Sequence, residues 1–174
     1  QLDALQKGDI LVLAGSIPTV LPSTIYRDIM KRLQKREVMI VVDATKNLLV
    51  NVLEYHPFLI KPNNYELGEI FGVTLSTKED VILYVLVSMA GDGAVLVAED
   101  GSTYKSEAPE GKVKNSVGAG DSMVAGFLYG YLKSGIYEDA FYYGVCTGSA
   151  SAFSENLATR EEVDTLLRNI KNRA

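Results

Sequence analysis

Cysteine is nearly absent from this chain of 174 residues, since Cys146 is the only one. A lone cysteine excludes an internal disulfide framework and favours a reducing compartment, so we expect a cytoplasmic protein. The sequence also lacks any apolar run near the roughly 18 residues that a membrane-spanning helix needs. Its first residues, QLDALQKGD, do not resemble a signal peptide. We therefore expect no membrane partner.

Positive charge is in the minority, because 17 Lys and Arg face 22 Asp and Glu for a net charge of −5. The absence of a basic stripe argues against a nucleic-acid partner. No G-x-G-x-x-G follows the first predicted strand, and no G-x-x-x-x-G-K-[ST] occurs. These absences argue against a Rossmann dehydrogenase and a P-loop enzyme. With 47% hydrophobic residues, the composition predicts a globular domain with a sizeable core.

Short apolar runs alternate with helical patterns through the first half of the chain. The runs Ile10–Ala14, 38–42 and 58–60 predict strands buried on both faces, with short helices over 47–54 and 66–71. Ser23 is predicted to cap a helix that carries Ile25, Ile29 and Leu33 on one face. This alternation predicts an α/β fold, with a mostly parallel central sheet and helices on both faces.

Polar residues follow the predicted strands at their carboxyl ends, where open parallel sheets bind ligands. Ser16, Asp43, Asn63 and Ser88 occupy these positions. Residues 85–87 and 94–98 flank the sequence SMAGDG, and Asp100-Gly101 is typical of a turn. The second half therefore begins with an antiparallel edge, followed by predicted helices over 123–133 and 137–152 and a capping box at Thr159.

One junction contradicts this alternation. The helix predicted from Ser76 runs through Tyr84 directly into the strand at Val85. A parallel crossover needs about a dozen residues, including its helix and turn. We therefore expect that residues are missing between Tyr84 and Val85.

The stretch 115–127, NSVGAGDSMVAGF, organises the rest of the chain. It predicts a Gly118-Ala119-Gly120 turn that leads through Asp121 into an amphipathic helix. The first amides of a helix lack internal partners and carry partial positive charge, and small residues let a phosphate approach them. An acid there would repel phosphate, but it could take a proton from a nucleophile that attacks the phosphate. The alternative is that Asp121 is an ordinary helix N-cap.

This stretch resembles the second signature of the PfkB (ribokinase-like) sugar kinases. The segment KPNNYE at 61–66 resembles the KPN-x-x-E segment of that family, and SMAGDGA at 88–94 resembles its nucleotide-side loop. Together with GSIP at 15–18 and VVDATKN at 41–47, these segments are most similar to the 1-phosphofructokinase branch of the family. The resemblance covers nearly all of residues 1–174 as a single C-terminal portion of a ribokinase-like kinase domain. It implies that more than a hundred residues, including a β lid, precede this portion in full kinases.

The resemblance also implies roles around Asp121. Asp121 would contact the sugar phosphate and accept the proton of its attacking hydroxyl, while the amides of residues 117–120 hold the migrating phosphoryl group. Those amides include Gly118, Ala119 and Gly120. Ser16 would touch the phosphate of the sugar, or else belong to a plain turn.

ATP and Mg²⁺ are the implied cofactors. Asn63 and Glu66 match the N-x-x-E element that organises Mg²⁺ and its waters, although Glu66 could simply cap its helix. The residues implied on the ATP side are Lys61, Ser88, Ala90, Gly91, Gly93 and Asn156. Alternatively, Lys61 is a solvent-exposed side chain and 88–93 a simple hairpin turn.

The implied reaction transfers the γ-phosphoryl group of ATP to a sugar phosphate, converting fructose 1-phosphate to fructose 1,6-bisphosphate. A tagatose-6-phosphate kinase is the alternative within the family, although that branch more often has Pro after the Asn and Ser for the middle Ala. A non-catalytic nucleotide-binding module is the alternative from another class. A homodimer formed through the lid is a further implication.

Overall fold

A computed structural model describes residues 1–71, 87–98 and 100–171, and the chain divides into two units, Gln1–Ser76 and Thr77–Ala174. The first unit contains a parallel sheet in the order β1-β2-β3. Its elements are β1 (Ile10–Ala14), α1 (Ile25–Leu33), β2 (Met39–Asp43), α2 (Lys46–Val50), β3 (Leu59–Ile60) and α3 (Asn64–Phe71). Two 3-10 turns, Leu2–Ala4 and Leu53–Tyr55, complete it.

Burial differs sharply between the strands of this sheet. Val41 and Val42 of β2 are fully buried, as predicted for a central strand. In β1 only Leu13 is buried, and Val12 is 43% exposed, so the prediction that β1 is buried on both faces is wrong. The reason is topological, because β1 lies at the edge of the described sheet with β2 as its hydrogen-bonded neighbour.

The predicted residues Ile25, Ile29 and Leu33 of helix α1 all contact the core, but the most buried face is centred on other residues. Its buried residues are Tyr26, Met30 and Leu33, spaced at i, i+4 and i+7, whereas Ile25 and Ile29 are only partly buried. The N-cap is Thr24 rather than Ser23, and its hydroxyl donates to the Asp28 carboxylate at 2.8 Å. The buried Tyr26 places its hydroxyl at the end of β1.

The second unit begins with the predicted antiparallel meander. Its strands are β4 (Val87–Ser88), β5 (Ala94–Val97) and β6 (Thr103–Ser106), and a 3-10 turn spans Ala90–Asp92. Three helices follow, α4 (Ala119–Ser134), α5 (Tyr137–Phe153) and α6 (Arg160–Lys171). The expected omission between Tyr84 and Val85 lies outside the described residues.

Helices α4 and α5 approach closely because glycines lie along their contact. A Cβ at Gly126 would overlap the Thr147 side chain, and a Cβ at Gly130 would lie 2.8 Å from the Ala140 Cα. On the other helix, a Cβ at Gly148 would lie 3.0 Å from the carbonyl oxygen of Ala119. The predicted close packing of these helices is therefore confirmed, and it reaches the first residue of α4.

The last helix starts with the predicted capping box. The Thr159 N–H donates to Glu162 Oε2 at 2.7 Å, and the Thr159 hydroxyl donates to the same oxygen at 2.8 Å. Both bonds lower the pKa of Glu162, and the bond from the backbone N–H has the larger effect. Helix α6 packs through Val163 and Leu167 against Cys146 and Ala150 of α5. None of the helices in the described part of the chain combines the length and apolarity that a bilayer crossing requires.

Candidate functional site

Helix α4 begins earlier than the sequence predicts, and this changes the position of Asp121. The N-cap is Gly118, which has a left-handed φ of 78°, so Ala119 and Gly120 belong to the first helical turn. Asp121 is the third residue of the helix and is exposed. Its carboxylate makes no hydrogen bond or ion pair with the residues that the structure describes. Asp121 is therefore not the N-cap, which was the alternative interpretation.

The amides around this helix start divide into engaged and open groups. The Val117 N–H donates to Asn115 Oδ1 at 3.0 Å, and the Ala119 N–H donates to the Ser116 carbonyl at 3.2 Å. Within the described ranges, the N–H groups of Gly118, Gly120 and Asp121 have no hydrogen-bond partner. The predicted donor set of residues 117–120 is corrected accordingly: Val117 and Ala119 are already engaged, because the loop folds back on itself.

Asn115 secures this loop, although the sequence interpretation gave it no role of its own. Besides accepting from Val117, its side-chain amide donates to the Glu155 carbonyl at 3.3 Å, and its backbone N–H donates to the Ala152 carbonyl at 3.1 Å. The loop is therefore tied to the end of α5. An Asn three residues before the glycine-rich turn is the signal that could have indicated this anchor. Asn156, predicted near the adenine, is exposed just beyond the same helix end.

In the first unit, the carboxyl ends of β2 and β3 hold a buried ion pair. Lys61 Nζ lies 3.2 Å from Asp43 Oδ1, and Lys61 is only 8% exposed. The alternative of a solvent-exposed Lys61 is therefore wrong. The ammonium group of Lys61 is also not an unpaired charge, because the Asp43 carboxylate neutralises it. An unpaired ammonium at this buried position would be costly in free energy.

Asn63 and Glu66 form a reciprocal capping box at the start of α3. The Asn63 N–H donates to Glu66 Oε2 at 2.8 Å, and the Glu66 N–H donates to Asn63 Oδ1 at 2.9 Å. The capping alternative for Glu66 is thus present in the structure. Its other carboxylate oxygen, Oε1, has no partner among the described residues. Oε1 is therefore left without a protein partner in this part of the chain, while Oε2 caps helix α3.

Mg²⁺ prefers oxygen ligands and keeps several of its waters, so one carboxylate oxygen with an amide oxygen nearby can serve it. Residues 1–71, 87–98 and 100–171 contain no group of three or more His, Cys, Asp or Glu side chains placed to hold a metal. The donors Glu66 and Asn63 fit a hydrated Mg²⁺ shared with a phosphate. They do not fit a cage built from protein ligands alone.

Ser16 lies in the exposed turn that follows β1. Gly15 has a left-handed φ of 79°, and its N–H donates to the Asp43 carbonyl at 2.9 Å. The Tyr26 hydroxyl donates to the Ala14 carbonyl at 2.9 Å and lies 3.3 Å from the Gly15 carbonyl. Burial, and then the nearby Asp43 carboxylate, raise the pKa of Tyr26. The sequence interpretation missed Tyr26, because nothing in its local pattern distinguishes it from a core residue.

The predicted nucleotide-side loop contains two glycines in opposite situations. Gly93 is buried with a φ of 97°, and a Cβ there would overlap the Ser106 carbonyl oxygen. Its small size is therefore required by packing against β6 rather than by a ligand. Gly91 is exposed, with open space where a Cβ would lie. The backbone of Ser88 ends β4, and Ala90 starts the 3-10 turn.

At the start of α4, an exposed carboxylate therefore lies beside open backbone amides. The chain belongs to the pfkB family of carbohydrate kinases, whose family model matches residues 1–163. It is 46% identical to the 1-phosphofructokinase of Bacillus subtilis over 98% of its own length and 60% of that relative. It is 30% identical to the D-tagatose-1-phosphate kinase of Bacillus licheniformis over 90% of its length and 55% of that relative.

Among solved structures, phosphofructokinase-2 of Escherichia coli in complex with substrates and products superposes with a TM-score of 0.91. At 24% identity, over 98% of this chain and 60% of that one, this likeness shows the fold alone. The predicted family and its ribokinase-like α/β fold are confirmed. The chain spans about 60% of the length of its first curated relatives.

Proposed function

We propose that this chain is part of an ATP-dependent sugar-phosphate kinase that acts on fructose 1-phosphate and yields fructose 1,6-bisphosphate. The observation that carries the proposal is the start of α4, where the exposed carboxylate of Asp121 lies beside the open amides of Gly118, Gly120 and Asp121 itself. A protein that only binds nucleotide has no use for an unpaired acid at a phosphate site, because the acid repels the phosphate.

In the proposed reaction, a sugar hydroxyl attacks the γ-phosphorus of ATP as the bond to the ADP oxygen breaks. Asp121 accepts the hydroxyl proton, and the open amides face the charge that develops on the transferring group. Such transition states are loose, so positioning and charge stabilisation supply most of the rate enhancement. The engaged amides of Val117 and Ala119 keep the loop rigid instead of binding the phosphoryl group.

Mg²⁺ belongs to the proposal as the cofactor that neutralises ATP phosphates when it is bound. Glu66 Oε1 and Asn63 are its proposed protein partners, through retained waters. We propose that Lys61 contributes to the nucleotide side while Asp43 holds it in place, and that Ser88, Ala90, Gly91 and Asn156 border ATP. Cytoplasmic location remains a proposal that rests on the lone Cys146. The lid-mediated homodimer stays a prediction.

The decisive experiment replaces Asp121 by Asn in the full-length protein, which removes the proton acceptor with little change of shape. We expect turnover to fall by at least about 100-fold. Glu161→Gln is the matched control, because Glu161 is also an exposed carboxylate in the first turn of a helix. Near-normal turnover by Asp121→Asn, or an equal loss in the control, would refute the assignment.

The substrate requires a separate test, because one relative is named for tagatose 1-phosphate and the sequence left tagatose 6-phosphate open. ADP release should be measured with fructose 1-phosphate, fructose 6-phosphate, tagatose 1-phosphate and tagatose 6-phosphate. We expect the highest kcat/KM for fructose 1-phosphate, as the 46% identity to a 1-phosphofructokinase supports. A preference for either tagatose phosphate would replace that substrate within the same class, and ATP binding without turnover would favour the binding module.

A further inference from the structure

We infer that Tyr26 is a positioning residue for the sugar-phosphate site: its hydroxyl orients the Gly15-Ser16 peptide so that Ser16 presents two donors to the phosphate group of the substrate. The inference rests on the proposed function, in which Ser16 contacts that phosphate. It assigns a role to a side chain on α1 that no sequence motif indicates.

The Tyr26 hydroxyl, which has a single proton to donate, lies within hydrogen-bond distance of the carbonyls of two consecutive peptides at the end of β1. In the first, the Ala14 carbonyl accepts from the Tyr26 hydroxyl at 2.9 Å, while the Gly15 N–H on the other side donates to the Asp43 carbonyl at 2.9 Å. In the second, the Gly15 carbonyl lies 3.3 Å from the same hydroxyl. The described chain contains no cis peptide bond, and a trans peptide places its C=O and N–H on opposite sides. The Ser16 N–H therefore points away from Tyr26.

Ser16 is exposed, and neither its N–H nor its hydroxyl has a partner in the part of the chain that the structure describes. Two open donors on one residue suit the oxygens of a phosphate group. The left-handed Gly15 supplies the bend that brings this residue out of the strand. Tyr26 itself is 8% exposed and belongs to the core cluster of the unit, so its hydroxyl is held by packing.

The experiment uses the full-length protein with Tyr26→Phe, which removes the hydroxyl and keeps the ring in the core. Tyr55→Phe is the matched control, since Tyr55 packs against the same cluster and its hydroxyl has no partner among the described residues. We expect Tyr26→Phe to raise the KM for the sugar phosphate about three- to tenfold, as loss of one hydrogen bond implies. The KM for ATP should stay within about twofold, and the control should change neither constant.

A double variant and hydrogen exchange complete the test. If Tyr26 acts through Ser16, the effects of Tyr26→Phe and Ser16→Ala on the sugar-phosphate KM should combine to less than their product. Exchange of the Gly15 amide, which donates to the Asp43 carbonyl, should be faster in Tyr26→Phe than in the control. Unchanged exchange, an unchanged sugar-phosphate KM, or equal rises in both KM values would overturn the inference. If the unsubstituted protein phosphorylates no sugar, the proposed function fails, and exchange alone then decides whether Tyr26 holds the turn.

Discussion

Glu66 has an observed capping contact and a proposed role toward Mg²⁺, and two substitutions can separate them. Its Oε2 accepts from the Asn63 N–H and caps α3, while Oε1 is the oxygen proposed to face hydrated Mg²⁺. Glu66→Gln keeps an oxygen that can accept from Asn63 and removes the negative charge. Glu66→Ala removes both. Comparing the two variants therefore separates the cap from the metal role.

The expected stability changes follow from the capping geometry. Glu66→Ala loses one hydrogen bond, worth about 0.5–1.5 kcal/mol, and a helix-start charge worth about 0.3–1 kcal/mol. Glu66→Gln loses only the second contribution. For a domain of this size, about 2–4 °C of melting temperature corresponds to 1 kcal/mol. Thermal unfolding should thus shift by roughly 2–10 °C for Ala and by roughly 1–4 °C for Gln.

The two variants should differ in stability but lose activity to a similar extent. If Glu66 organises Mg²⁺, both variants should lose about 10- to 100-fold in turnover, and half-maximal activity should require more Mg²⁺. Glu162→Gln is the control, because Glu162 forms the equivalent capping box with Thr159 at α6 and has no proposed metal role. Wild-type Mg²⁺ dependence in Glu66→Gln, together with normal turnover below the melting temperature, would show that Glu66 is a cap alone.

Three further predictions concern the second unit. Gly93→Ala should lower the free energy of unfolding in urea by about 2–5 kcal/mol, because a left-handed φ and an overlap with Ser106 add their costs; a change below 1 kcal/mol would contradict this packing. Gly118→Ala should cost about 1–2 kcal/mol through its φ of 78°, so Gly118→Val is expected to lose stability as well as activity; unchanged melting of both would contradict the strain. Burial raises the pKa of Cys146 to about 12, so iodoacetamide at pH 8 should modify it only after unfolding; rapid modification of the native protein would contradict its burial.

The sequence predicted most elements of the fold because the apolar runs are short and well bounded. It placed β2, β3, β5 and the carboxyl end of α4 within a residue or two, and it predicted the antiparallel meander. The start of α4 was predicted too late, since Ala119 and Gly120 resemble turn residues. In the structure a single left-handed residue, Gly118, makes the turn, and helix packing then holds Ala119 in place. The close approach of α5, which lies later in the chain, to Ala119 cannot be read from the local sequence.

Site residues that belong to a local motif were predictable from the sequence. Site residues whose contacts depend on strand pairing or on distant parts of the chain were not. The capping relation of Asn63 and Glu66 follows from their spacing of three. The burial of Lys61 does not follow from the local sequence. Its partner Asp43 comes close only through the register of β2 against β3, in which Val42 pairs with Ile60. Tyr26 was missed for a similar reason, since its acceptors lie 11 and 12 residues away from this helical residue, at the end of strand β1.

The glycines between α4 and α5 affect how mutational data on this family should be interpreted. Gly126, Gly130, Gly144 and Gly148 contact no proposed ligand, yet a Cβ at each one would press on the facing helix. A saturation scan scored by growth would mark all four as intolerant, as strongly as residues that take part in chemistry. Only measurements that separate protein abundance from specific activity would show that these positions determine the spacing between two helices.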